Sequence, residues 1–167
     1  TLPGADFPYK DEPVSFNFSS TAEEFDKLIG QTGFSMATQD ARHFLNGMFL
    51  ETSSTNLTVV ATDGHRLSMS SCPAKNNTPE PVTCIIPRKC IIEVKRILAS
   101  FKDNKENIIE FSISSKEILL KIDKFLIKSK LIEGNYPDYN KVFPESLPHK
   151  LNVDKDDLRS ALQRMSI

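Results

Sequence analysis

The sequence predicts an α+β fold with helices on one face of antiparallel sheet. Hydrophobic residues alternate in some segments with a period of two and in others with a period near 3.6. The order strand, helix, three strands occurs twice, and a third copy begins before the chain stops. At 167 residues, 39% hydrophobic and 26% charged, the composition is that of a globular domain able to bury one core.

The opening "TLPGADFPYKDEP" is proline-rich and follows neither period, so it reads as a linker or the tail of a preceding domain. "VSFNFSS" is the first short strand. In "STAEEFDKLIGQTG", Ser20/Glu23 and Thr21/Glu24 both fit a capping box, and Phe25, Leu28 and Ile29 form the apolar stripe. Gly30 and Gly33 are expected to stop that helix. Three strands follow, "NGMFLET", "NLTVVAT" and "HRLSMSS", with Leu57, Val59 and Ala61 alternating in the second. Asp63-Gly64 predicts a tight hairpin turn between the second and third.

After a loop, "CPAKNNTPEP", the plan recurs. "VTCIIP" is a strand and "RKCIIEVKRILASF" a helix with Ile91, Val94 and Leu98 on one side. "NIIEFSI", "EILLKID" and "FLIKSKLIEG" are three further strands. In "KLNVDKDDLRSALQRMSI" a short strand leads to a helix capped by Asp154, with Leu158, Ala161, Leu162 and Met165 on one face. A spacing of about 65 residues between copies suggests internal duplication within one domain rather than an open solenoid. The missing initiator Met and a helix still running at Ile167 predict a chain cut from a longer protein.

Asp63 beside His65 is the best catalytic candidate, because a carboxylate can tune an imidazole base. No G-x-S-x-G accompanies it, and no cysteine sits in a nucleophile context. His43, His65 and His149 lie too far apart for a zinc motif, and the six glycines form neither G-x-G-x-x-G nor a Walker loop. No metal and no cofactor are therefore expected. Two alternatives stay open at this level: a small hydrolase using Asp63 and His65, and an α+β interaction domain with no DNA role. Cys72, Cys84 and Cys90 lack C-x-x-C spacing and read as reduced thiols in a cytoplasmic protein. No apolar run approaches a membrane span.

The net charge of −1 excludes a uniformly basic nucleic-acid binder but not a local basic face. Arg88, Lys89 and Arg96 fall within one sector of about 100° on the second helix, largely opposite its apolar side. Ile92 interrupts that sector and Glu93 lies near its edge. Gln39, Arg42, His43 and Phe44 form a polar–aromatic cluster in "TQDARHFLNG".

Together "FSMATQDARHFLNGMFLE", "ATDGHRL", "IIPRKCIIEV" and "EGNYPDYNKVFP" resemble the bacterial DNA polymerase III β subunit, the sliding clamp, across essentially the whole chain. The resemblance implies a DNA-clamp fold made of duplicated β-α-β-β-β units. Residues 1–14 would end the first clamp domain, 15–138 form the middle domain, and 139–167 begin the third. It further implies a non-enzymatic processivity factor, a head-to-tail ring dimer encircling duplex DNA without reading its sequence. The replicative polymerase, clamp loader and repair polymerases would dock through short linear peptides. By the same resemblance Gln39, His43, Phe44, Arg88, Lys89 and Arg96 would contact DNA. Leu45, Thr62, Gly64, His65, Arg66 and Leu67 would line the peptide groove with Pro137, Lys141 and Val142. His43 and Phe44 stand where family members carry tyrosine, and Lys141 where arginine is expected. Ring closure in the family joins the first and third domains, so this chain by itself is expected to be a monomer.

Overall fold

The computed structural model describes residues 17–76, 80–101, 107–144 and 146–166. The proline-rich opening and the first three residues of "VSFNFSS" lie outside these described residues. The chain forms two compact units, residues 1–136 and 137–167.

In the first unit, strand β1 (Phe18–Thr21) runs directly into helix α1 (Ala22–Thr32). Of the two possible capping boxes, Thr21/Glu24 forms: the Glu24 N–H donates to Thr21 Oγ1 at 3.2 Å, and the Thr21 N–H donates to Glu24 Oε2 at 3.4 Å. Ser20 is unavailable as the cap because it is a buried strand residue, with Oγ 3.5 Å from Cys72 Sγ. Gly30 does not stop the helix; it lies inside it. Gly33 caps the end with ordinary right-handed dihedrals, and a 3-10 turn over Gly33–Ser35 carries the chain onward.

Strands β2 (Gly47–Thr52), β3 (Asn56–Thr62) and β4 (Leu67–Pro73) form a meander. The third strand begins at Leu67, not His65, because Thr62 pairs with Leu67 and leaves a four-residue turn, Asp63–Arg66. "CPAKNNTPEP" is also not all loop. Cys72 and Pro73 finish β4, and Lys75–Asn76 form a short strand, β5, beside β1. Strand β6 (Thr83–Pro87) leads into helix α2 (Arg88–Leu98), after which β7 (Ile108–Ile113), β8 (Glu117–Ile122) and β9 (Phe125–Lys130) form a second meander.

The two copies are joined by exchange of their leading strands. The sheets run β5-β1-β7-β8-β9 and β4-β3-β2-β6. Thus β1 of the first copy pairs antiparallel with β7 of the second, and β6 of the second pairs antiparallel with β2 of the first. The helices touch each other, with α1 against β4, β3 and β1 and α2 against β6 and β2. Their apolar faces enter one core shared by both sheets. At its centre Phe111 of β7 stacks on Phe18 of β1 (centroids 4.4 Å apart, planes 8° apart) and meets Phe25 of α1 edge-on at 4.9 Å. Gly47 sits where β6 crosses close by; a Cβ there would stand 2.6 Å from the Ile86 carbonyl oxygen.

In the second unit, a 3-10 turn spans Tyr139–Val142, and helix α3 covers Lys155–Met165. Asp154 caps α3 as expected, accepting from the N–H groups of Asp156 and Asp157. The short strand expected before α3 is absent among the described residues. A strand needs a neighbour to complete its ladder, and the residues before α3 pair with no strand among those described.

Phe111 is buried and joins both copies through Phe18 and Phe25. Phe111→Ala is expected to lower unfolding free energy by about 3–5 kcal/mol, as for other buried aromatic truncations. Urea denaturation monitored by circular dichroism measures it.

Candidate functional site

The turn between β3 and β4 is built from its own side chains. Asp63 Oδ1 accepts the N–H groups of His65 and Arg66 at 2.9 and 3.0 Å, while Oδ2 accepts Arg66 Nε at 3.1 Å. Thr62 Oγ1 closes the base, donating to the Arg66 carbonyl at 2.6 Å and accepting the Gly64 N–H at 3.0 Å. Gly64 adopts φ +88, which glycine reaches without the cost a side chain would bring. The Asp63 pKa falls below its usual value because the His65 and then the Arg66 backbone N–H groups favour the carboxylate.

This geometry does not make an acid–base pair of Asp63 and His65. Asp63 accepts the backbone N–H of His65 and the guanidinium of Arg66, leaving the His65 ring exposed. Arg66 reaches away from the turn: Nη2 donates to the Phe34 carbonyl at 2.7 Å, and Cζ lies 5.5 Å from the Phe34 ring centroid. Phe34 itself is exposed, so arginine and ring together form a surface ridge.

The strands make this turn stiff. Val59, Val60 and Ala61 are fully buried, and Thr62 nearly so. Behind β4, Ser68 and Ser70 hydrogen-bond to Ser35 and Gln31 at 2.7 and 2.6 Å, tying that strand to α1 and the following 3-10 turn. Leu67 is half-buried at the start of β4, and Leu45 is buried.

A second loop, residues 37–46, meets the turn. Asp40 holds Arg42 in a fork, accepting Nε at 3.0 Å and Nη2 at 2.9 Å, and Arg42 Nη2 also donates to the Asp63 carbonyl at 3.4 Å. The Arg42 side chain, with its backbone N–H, holds the Asp40 carboxyl down to a pKa of about 2. Gln39 and His43 are exposed on this loop, Gln39 with φ +60, whereas Phe44 is half-buried with its side chain beside Gly134.

On α2, Lys89 and Arg96 project into solvent, and Arg96 lies 3.7 Å from Glu93. Arg88 differs from the expectation of a solvent-facing cation. It is half-buried, and its Nη1 donates to the Met36 carbonyl at 3.1 Å. Three candidate groove residues belong to the second unit. Pro137, Lys141 and Val142 are exposed there, and Lys141 pairs with Asp138 at 3.2 Å.

Sequence reasoning did not select Asp40, Asn46 or Phe34 for this site. "QDAR" carried one available signal, since an Asp two residues before Arg suits a local carboxylate–guanidinium clasp. Phe34 gave none, because its contact with Arg66 spans 32 positions. No group of His, Cys, Asp and Glu suited to a metal occurs among the described residues. No helix among them is long and apolar enough to cross a membrane.

The chain matches the family described as DNA polymerase III beta subunit, central domain, over residues 20–138. It is 40% identical to the beta sliding clamps of Salmonella typhimurium and Escherichia coli K12, over all of this chain and 44% of each relative. The crystal structure of the DNA polymerase III subunit beta from Pseudomonas aeruginosa superposes with a TM-score of 0.84 at 37% identity, covering 98% of this chain and 44% of that one. A Pseudomonas aeruginosa DnaN sliding clamp bound to griselimycin gives the same score and identity over 98% of this chain and 43% of its own. The architecture is thus an α+β DNA-clamp fold. The chain belongs to the DNA polymerase III beta subunit family, matching its central domain. It spans about 44% of the length of the curated relatives it matches.

The folded pKa of Asp63 lies below its ordinary 3.8, so the turn's contribution to stability is full above that value and lost as pH falls through the depressed one. In an NMR titration the Asp63 carboxyl carbon and Cβ shifts are expected to keep their ionised-state values from pH 7 to 5. They move only once the Asp63 carboxyl takes up its proton.

Proposed function

We propose that this chain is the central part of a sliding clamp, a non-catalytic ring that encircles duplex DNA and tethers a polymerase to it. Residues 15–138 serve as the central domain, 1–14 as the end of the first, and 139–167 as the linker and start of the third. Processivity then comes from topology and raised local concentration rather than tight binding. Membership of the beta subunit family supports this reading.

The single observation carrying the local part is the use of Asp63 to fasten a rigid, solvent-facing turn. A carboxylate so occupied serves presentation rather than proton transfer, which disfavours a hydrolase. Gly64, His65 and Arg66 form the polar lip of a groove for short peptides from the polymerase, clamp loader and repair polymerases. Leu45, Thr62 and Leu67 support it within the same unit. Polar groups at the lip orient a ligand whose apolar side chains supply most of the affinity.

Lys89 and Arg96 supply the stronger part of the DNA contact, together with Gln39 and His43. Arg88 has already committed part of its guanidinium to Met36, and Phe44 offers only its ring. Contacts of this type are electrostatic and indifferent to base sequence, as sliding requires.

Griselimycin, bound in the Pseudomonas aeruginosa clamp structure, is a direct probe. Calorimetry is expected to show binding to the chain and a loss of about tenfold or more in His65→Ala, with no hydrolase activity in either form. Retained affinity together with activity that vanishes in His65→Ala would reverse the assignment. For the DNA face, replacing Lys89 and Arg96 together by Ala is expected to reduce the salt slope of duplex binding by about 2, since each phosphate neutralised by a cation adds about 0.9 to that slope. Salt titration followed by fluorescence anisotropy measures it, and an unchanged slope places the DNA-facing cations elsewhere.

A further inference from the structure

The turn of residues 63–66 is also held from outside, by a chain of contacts that begins at Asn46. The Asn46 carboxamide engages both backbone groups of Asp40: Nδ2 donates to the Asp40 carbonyl at 2.8 Å, and Oδ1 accepts the Asp40 N–H at 2.9 Å. This clasp fixes the peptide unit that follows Gln39, whose φ of +60 is unfavourable for a residue with a side chain. The fixed Asp40 carboxylate then accepts the Arg42 N–H at 2.8 Å as well as the forked guanidinium.

Arg42 transmits that alignment to the turn. Its Nη2 donates to the Asp63 carbonyl at 3.4 Å. The guanidinium also lies against Gly64: a Cβ there would stand 2.9, 3.2 and 3.4 Å from Nη2, Nη1 and Cζ. Asn46 and Asp40 have no hydrogen bond of their own to residues 63–66 among those described. We infer that Asn46 and Asp40 are positioning residues for the Asp63–Arg66 turn and act on it through Arg42. A forked carboxylate–guanidinium pair sets direction as well as distance, which a lysine at position 42 would not do. The consequence for ligand affinity rests on the groove reading above; the positioning itself does not.

Amide hydrogen exchange of the free chain, read by NMR at Gly64, His65 and Arg66, tests the relay. Asn46→Ala, Asp40→Asn and Arg42→Ala are each expected to speed exchange there by about tenfold, the scale of a single hydrogen bond. Arg42→Lys should not restore protection. The decisive variant combines Asn46→Ala with Arg42→Ala, which is expected to exchange no faster than Arg42→Ala alone. Additive acceleration overturns the relay, as does unchanged exchange in the single variants. If Asn46→Ala also loses protection at core amides such as Ile109 and Leu120, Asp40→Asn takes its place in the same comparison. Faster turn exchange with undiminished griselimycin affinity supports the positioning and overturns the groove reading instead.

Discussion

Strand β1 finds its partner in the other half of the domain, and every other part of the first unit depends on that pairing. Phe18 lies opposite Phe111 in the ladder and stacks on its ring, so backbone register and core packing enforce one another. A slip by one residue would turn Phe18 outward and leave a void beside Phe25. The reciprocal pairing of β6 with β2 seals the second sheet. Neither copy of the β-α-β-β-β plan holds a four-stranded sheet of its own, which is why duplication produces one domain rather than two.

This interlock sets the stiffness of the site. Strand β3 is flanked by β2 and β4 and buried along most of its length, so the turn at its end rests on a strand that cannot readily shift. What the turn itself lacks in burial it gains from charged hydrogen bonds confined to a few residues. Asp63 is spent on local geometry, and Arg66 is aimed by Phe34. The His65 side chain is left exposed with no part in holding the turn's shape, projecting beside Arg66 from a support fixed on both sides.

Much of the fold was legible because it is written in short-range patterns. Among the described residues, the periods of two and 3.6 located all three helices, and eight of the nine strands either wholly or to within a few residues. The missed strand, β5, is two residues in a polar, proline-flanked stretch, and only its proximity to β1 makes it a strand. Ser20/Glu23 and Thr21/Glu24 were equivalent as motifs; burial of Ser20 decided between them. In the turn, Asp63-Gly64 was recognisable, but its four-residue length depended on the Thr62–Leu67 pairing. Arg88 illustrates the same limit. Helical geometry gave the direction of its side chain, while its partner, the Met36 carbonyl, sits 52 positions away. The family resemblance supplied the proposed groove and DNA roles; local pattern had marked only the basic sector of α2 and the polar–aromatic cluster around His43.

The strand exchange also has a consequence in time. A chain emerging from the ribosome presents β1 early, yet its partner β7 follows roughly 90 residues later, about 5–20 s at ordinary rates of synthesis. During that interval α1 can form, and β2, β3 and β4 can pair among themselves, but Phe18 has no ring to stack against. The sheet of β4, β3 and β2 gains its fourth strand only when β6 appears, and the sheet that holds β1 is completed by β7, β8 and β9 after that. The order of translation therefore makes the last meander the step that locks the domain, and an edge left waiting that long is where a nascent chain is open to a chaperone.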